Sequence, residues 1–272
     1  MIRKIGLGLL AALAVGAALW GYSTNQPAKP TTLSAKLDQV VKVTTEPVLD
    51  CAHIAAQHPF VIMALGQSNA ANHGELTTTR TAPVTLFTEG QCIKATDPLP
   101  GSTGRGGSIW SRLPGPLVIS VMGIDATSIA DWTDARSPLR QRLTSHIASM
   151  KTVGLLPTVI LWQQGEADAK LGTTRAAYSA GLDKLANILT QAGTDAPIIM
   201  ALSTVCRSNP IPDIRAAIIT QAERDTRFKI GPDTDTLNDA ALRVDGCHFS
   251  AAGLEQAARL WGKNLKLVFA NI

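Results

Sequence analysis

Apolar and polar positions along the chain fall into two alternating patterns. Phe60 to Leu65 is a continuous apolar run that stops at Gly66. Pro116 to Met122 is a second run, Thr158 to Trp162 a third, Ile198 to Leu202 a fourth, and Phe228 to Ile230 a shorter fifth. Short runs without alternation predict strands buried on both faces. Between them the apolar spacing becomes helical, and helices are predicted over Leu139 to Val153, Thr174 to Ala192 and Ile214 to Arg224. In the second of these, Tyr178, Leu182, Leu185 and Leu189 recur at four-three-four spacing and line one face. A last helix is predicted to start at Ser250, a residue suited to capping, with Leu254, Ala258, Trp261, Leu265 and Val268 on its buried face. Strands alternating with helices predict an α/β protein, a parallel sheet of about five strands with helices on both faces. In such sheets ligands bind at the carboxyl ends of the strands, so chemistry is sought just after each apolar run.

The length, 272 residues, suits one large domain, and the chain has no internal repeat. With 17% charged and 45% hydrophobic residues it reads as globular. The formal charge of +4 includes Arg3 and Lys4 at the extreme N-terminus, and no basic stripe with interleaved aromatics follows, so nucleic acid is not an expected partner. Arg3 and Lys4 precede an uncharged run from Ile5 to Trp20, the pattern of an export signal. Residues 1–22 are therefore read as a signal peptide or an uncleaved membrane tether, 23–45 as a linker rich in Thr, Pro, Lys and Ser, and 46–272 as the functional domain. On this reading the domain is exported: periplasmic, secreted or held at the membrane by its N-terminus. Four cysteines, Cys51, Cys92, Cys206 and Cys247, suit two disulfides in an exported protein; of the three pairings, sequence alone does not choose. No C-x-x-C pair or close Cys/His spacing points to a metal, and no cofactor is expected.

Three polar clusters lie just past predicted strands or before the last helix: Gly66-Gln67-Ser68-Asn69, Trp162-Gln163-Gln164-Gly165-Glu166-Ala167-Asp168, and Asp245-Gly246-Cys247-His248. All three fall at one rim of the predicted sheet. A serine hydroxyl becomes a nucleophile when a base takes its proton, and Gly66 lets the chain turn sharply to expose Ser68; the competing role is a helix cap. Of five histidines, His248 alone has a carboxylate three residues before it and a helix start just after. Asp-x-x-His on one turn can set the acid against Nδ1 and leave Nε2 for the serine. Asp245 is the expected orienter and Glu166 its rival. Candidate oxyanion donors are the Ser68 N–H, the Gln164 side-chain amide and an N–H from the loop Gly123 to Ser128. His73, which follows the nucleophile turn, is placed to touch substrate.

These blocks resemble the first, third and fifth blocks of the SGNH hydrolases. Together with Gly106-Gly107-Ser108-Ile109-Trp110 and Thr127-Ser128-Ile129 to Trp132, they are most similar to the sialate O-acetylesterase and acetylxylan esterase branch, carbohydrate esterase family six. The resemblance spans about residues 58 to 265. It implies a flavodoxin-like, three-layer α/β/α sandwich and a metal-free acetyl-enzyme mechanism on an acetylated carbohydrate. Carried over by residue, Ser68 is the nucleophile, His248 the base, Asp245 its partner, and Ser68, Gln164 and Ala126 form the oxyanion hole. Asn69, Glu166, Trp110 and Trp132 are assigned to substrate binding, with core packing the alternative for the two tryptophans. Where the family's second block shows Gly-Gly, this chain has Asp125-Ala126. Cys247 stands where the family often has a bulky apolar residue. A bond from it to Cys206, at the end of the fourth run, would staple the histidine loop, which favours Cys206–Cys247 and with it Cys51–Cys92. Other readings are an SGNH lipase or thioesterase with a different acyl group, and an envelope glycan-binding protein without turnover.

Overall fold

The structure, a computed structural model, describes residues 32–75 and 83–269. Eight strands form one sheet: β1 (Val48–Leu49), β2 (Phe60–Gly66), β3 (Val84–Thr88), β4 (Gln91–Ala95), β5 (Leu117–Gly123), β6 (Val159–Gln163), β7 (Ile198–Leu202) and β8 (Phe228–Asp233), in the order β1-β4-β3-β5-β2-β6-β7-β8. The five expected runs became β2, β5, β6, β7 and β8, all parallel. Numbered among themselves they stand in the order 2-1-3-4-5, the flavodoxin-like arrangement, with the central strand leading into the Ser68 turn.

Continuous apolar runs make sense because both faces are covered. Val61, Met63 and Leu65 of β2 join one core, and Ile62 and Ala64 join the other. On β6, Ile160 and Trp162 divide from Val159 and Leu161 in the same way. The first core is closed by α4 (Pro138–Thr152), α6 (Arg175–Ala192) and α7 (Pro212–Arg224), through Leu143, Ile147, Tyr178, Leu185, Leu189 and Ile218. The second is closed by α8 (Ala251–Val268), through Leu254, Ala258, Trp261 and Leu265. The result is a three-layer α/β/α sandwich. Helix starts follow side-chain chemistry: Ser250 accepts from Gly253 N and caps α8, and Thr174 accepts from Ala177 N and caps α6.

The sheet is larger than expected. An antiparallel hairpin, β3 and β4, turns at Glu89-Gly90 and adds beside β5, with the two-residue β1 at its edge. Short helices also appear: α1 (Leu33–Leu37), α2 (Cys51–Ala55) and α3 (Ile129–Thr133) before the long ones, and α5 (Glu166–Leu171) between α4 and α6. Residues 32–45, expected as linker, are part of the domain. Leu33 and Leu37 pack on the first core, Val40 is buried, and Val41 N and O bond Ser102 O and Gly101 N. Sparse but well-spaced apolar residues fix this segment despite its polar composition. The predicted signal or tether at 1–22 lies outside the described residues. Among those described, no helix is long and apolar enough to cross a membrane.

Two disulfides are formed, Cys51–Cys92 and Cys206–Cys247. The first joins the start of α2 to β4. The second joins the loop after β7 to the loop before α8.

Candidate active site

The turn that bears Ser68 is built by glycine geometry. Gly66 ends β2 at φ +146°, and a Cβ there would lie 2.1 Å from the Gln163 carbonyl oxygen of β6. Only glycine allows the two strand ends to stay this close while the chain turns. Ser68 then opens a 3₁₀ turn, Ser68–Ala70, anchored by Ala70 N to Gln67 O and by Trp110 Nε1 donating to Ala70 O at 2.7 Å. As the first residue of that turn, Ser68 has a backbone N–H that no carbonyl of the turn can accept.

The third cluster folds as one tight turn. Asp245 Oδ1 accepts from His248 N at 2.8 Å and Cys247 N at 3.0 Å, and Asp245 Oδ2 lies 3.0 Å from His248 Nδ1. Burial works to raise the Asp245 carboxyl, but the His248 and Cys247 N–H groups and the imidazole outweigh it and hold the carboxyl well below the usual range. Asp245 therefore stays a carboxylate that fixes Nδ1 as the donor and leaves Nε2 outward. Arg207 shares the same carboxylate: its guanidinium donates to Asp245 Oδ2 at 2.9 Å and to Asp245 O at 3.0 Å. The disulfide at the adjacent Cys206 holds Arg207 there.

The two loops meet through Asn69. Its Nδ2 donates to Cys247 O at 3.2 Å, so Ser68 and His248 each stand one residue from a hydrogen-bonded pair. Among the described residues no hydrogen bond joins the Ser68 hydroxyl to the imidazole, whose Nδ1 lies against Asp245. His73 stacks on His248 with ring centroids 5.3 Å apart, and its Nε2 lies 3.3 Å from Thr103 Oγ1.

Several expected contacts take other roles. Gln164 is fully buried. Its Nε2 donates to Asp168 Oδ2 at 2.6 Å and Thr127 O at 3.0 Å, and its Oε1 accepts from Tyr178 OH at 2.7 Å. With both amide protons committed, it is not an oxyanion donor but a strut between the β6 loop, α3 and α6. Asn69 and Glu166 are also buried and bond each other, Nδ2 to Oε1, at 2.8 Å, so neither faces substrate. Nor is Glu166 the orienter of His248, a place Asp245 fills. Trp110 and Trp132 are fully buried and cannot stack on a sugar. They pack against Trp261 and Trp162, and Trp132 Nε1 donates to Thr127 Oγ1. Ala126 lies exposed in the loop after β5 at φ +49°, with its carbonyl accepting from Lys36.

Two residues of this region escaped the sequence reading. Asp168 caps α3 across the loops, accepting from Ile129 N at 2.8 Å. Arg243 is buried beneath the histidine loop, donates to the Leu237, Thr234 and Cys247 carbonyls, and lies over the Phe249 ring. An arginine two residues before an Asp-x-x-His turn carries no local signal of such a role. Among the described residues no group of three or more His, Cys, Asp or Glu side chains is placed to hold a metal.

No family model matches the chain, and no curated protein matches it. Solved structures do. A protein from Arabidopsis thaliana aligns over 78% of this chain and 99% of its own, with 17% identity and a TM-score of 0.62. A mutant acetyl esterase, crystallised with an acetate ion, aligns over 78% of this chain and 98% of its own, with 14% identity and a TM-score of 0.51. Both are likenesses of fold: the chain shares its α/β/α sandwich with these proteins.

Proposed function

We propose that the protein is a serine esterase of the SGNH type that removes O-acetyl groups from a carbohydrate. The observation that carries this reading is the Asp245–His248 pair, tied through the Asn69–Cys247 bond to the turn that bears Ser68. Ser68 attacks the acetyl carbonyl while His248 Nε2 takes its proton, and Asp245 stabilises the imidazolium. The Ser68 N–H, with the Ala126 N–H of the β5 loop as second donor, holds the oxyanion. His248 then protonates the departing sugar hydroxyl, and water, activated by the same imidazole, releases acetate. The acetyl esterase that shares the fold supports an acetyl group as the acyl part. Two disulfides support an oxidising compartment, in keeping with the charged start and apolar run of the N-terminus. With Trp110 and Trp132 buried, the sugar is met by the loops around His73, Arg207 and Asp125.

The test is acetate release from a panel of acetylated polysaccharides and from 4-nitrophenyl esters of increasing chain length. The reading expects a preference for acetyl and a loss of at least ~10³-fold in Ser68→Ala and in His248→Ala. Undiminished turnover in either variant contradicts the assignment of roles. A preference for long chains contradicts the acetyl group.

A further inference from the structure

Glu166 is a buried ionisable group that the proposed mechanism does not use. It begins α5 beneath the nucleophile turn and is 1% exposed. Its Oε1 accepts from Asn69 Nδ2 and from Ser203 Oγ, both at 2.8 Å, while its Oε2 is buried with no hydrogen-bond partner. Asn69 mirrors this: Nδ2 is bonded twice, and Oδ1 is buried with no partner. Turning the Asn69 amide over would set its oxygen against Glu166 Oε1 and Cys247 O, three acceptors together, so the orientation is fixed. Two acceptors without donors, on side chains that already bond each other, leave the network one proton short.

The nearby Asp168 shows what a satisfied carboxylate looks like in this loop. Its Oδ2 accepts from Ile129 N and Gln164 Nε2, and its Oδ1 from Thr173 Oγ1. Glu166 has no such second set. The charged group that faces it is Arg243, whose Nε, Nη1 and Nη2 each donate to a carbonyl, of Leu237, Cys247 and Thr234; Tyr178 of α6 also faces it, and Asp245 and His248 stand beyond Cys247. Burial pushes the Glu166 carboxyl up from 4.5 to about 7, against the pull of the Asn69 bond, the residue's own backbone N–H, the Ser203 bond and the Arg243 charge.

We infer that Glu166 is held as the neutral acid, its Oε2–H donating to Asn69 Oδ1, and that this two-point pairing makes Glu166 a positioning residue for the reaction proposed above. Asn69 is the side chain that joins the Ser68 turn to the His248 loop. An acid paired at both ends of its amide fixes the plane from which Nδ2 reaches Cys247 O. Loss of the proton turns Oε2 into a buried unpaired charge and sets Oδ1 free to rotate.

Glu166→Gln tests this, because a glutamine amide reproduces the protonated acid: its oxygen accepts from Asn69 and Ser203, and its N–H donates to Asn69 Oδ1. Thermal unfolding of the full chain from pH 4 to 8 is the first readout. The wild type should match Glu166→Gln near pH 4 and lose stability relative to it as pH rises through about 7, since the unfolded glutamate gives up its proton first. The infrared carbonyl band of a protonated carboxyl should be present in the wild type and absent from Glu166→Gln. Neither readout requires esterase turnover, so they judge the pairing even if the assignment of function fails. For the positioning role, Glu166→Ala should lower kcat roughly 10- to 100-fold with KM little changed, and Glu166→Gln should recover most of the loss. A stability difference that does not vary with pH, or a missing infrared band, overturns the inference of a neutral acid. A glutamine variant as impaired as the alanine one overturns the positioning role; should the alanine variant fail to fold, kcat of Glu166→Gln falling more than ~10-fold below wild type does the same.

Discussion

Ala126 occupies the left-handed region at φ +49°, where a Cβ is disfavoured. Asp125-Ala126 stands where the SGNH pattern it resembles has a glycine pair, and the backbone supplies the physical reason for glycine there. Ala126→Gly should therefore raise stability by about 1 kcal/mol, read as a higher urea midpoint at unchanged slope. Gln164 offers the opposite lesson. Its residue type and place after β6 suit an oxyanion donor, and only its burial shows that Asp168, Thr127 and Tyr178 consume its hydrogen-bonding capacity. Gln164→Ala should cost about 1–3 kcal/mol of stability by stranding those partners. An oxyanion donor would instead lose turnover with the unfolding midpoint intact. Chemical type is legible in a sequence, whereas the direction a side chain faces across a loop depends on residues elsewhere in the chain, here Thr127 and Tyr178, 37 and 14 positions from Gln164.

At the level of elements, the strands with uninterrupted apolar runs were readable because burial on both faces writes a strong signal. The hairpin of β3 and β4 was not. Its residues mix Thr, Gln and Lys with apolar ones, as edge strands do, and its identity rests on pairing with β5 rather than on local pattern. The Asp245–His248 turn was readable because three-residue spacing constrains geometry locally. Its fastening was only partly so. Cys206–Cys247 closes a span of 41 residues between the loop after β7 and the histidine turn. Arg215 fastens the β7 side of this tie: it pairs with Asp235, which in turn accepts from Thr204 N and Val205 N. Replacing both Cys206 and Cys247 by serine should lower stability by about 2–4 kcal/mol. It should also lower kcat more than it raises KM, because the two loops that carry Arg207 and His248 lose the bond that ties them. Unchanged kcat would show that the Arg207–Asp245 and Arg243–Cys247 bonds hold the histidine turn by themselves.

For the molecule as a whole, Asp245, His146 and Glu166 are three of the groups that shape how stability varies with pH. The Asp245 carboxyl is depressed in the folded state, so its contribution is present above about pH 4 and is lost as pH falls; its partial exposure makes that contribution small. Burial, reinforced by the Arg142 charge, lowers His146 from 6.5 to about 4, so stability rises with pH across that interval as the unfolded histidine loses its extra proton. Glu166, raised to about 7, runs the other way, and its contribution declines from about pH 4.5 to 7. The two slopes oppose each other between about 4.5 and 6.5, which predicts a plateau there and a fall below it. In His146→Gln the plateau should become a decline with rising pH, and in Glu166→Gln an ascent; melting temperatures across the range check both signs.

The parallel sheet brings its chemistry to one rim, and the account stands on that convergence: the hydroxyl of Ser68 must be the group that His248 activates. A fluorophosphonate that labels activated serines, followed by peptide mass mapping, asks this directly. A single adduct on Ser68 in the wild type, lost in His248→Ala, is the predicted result. An unlabelled protein, or an adduct on another residue, would contradict it.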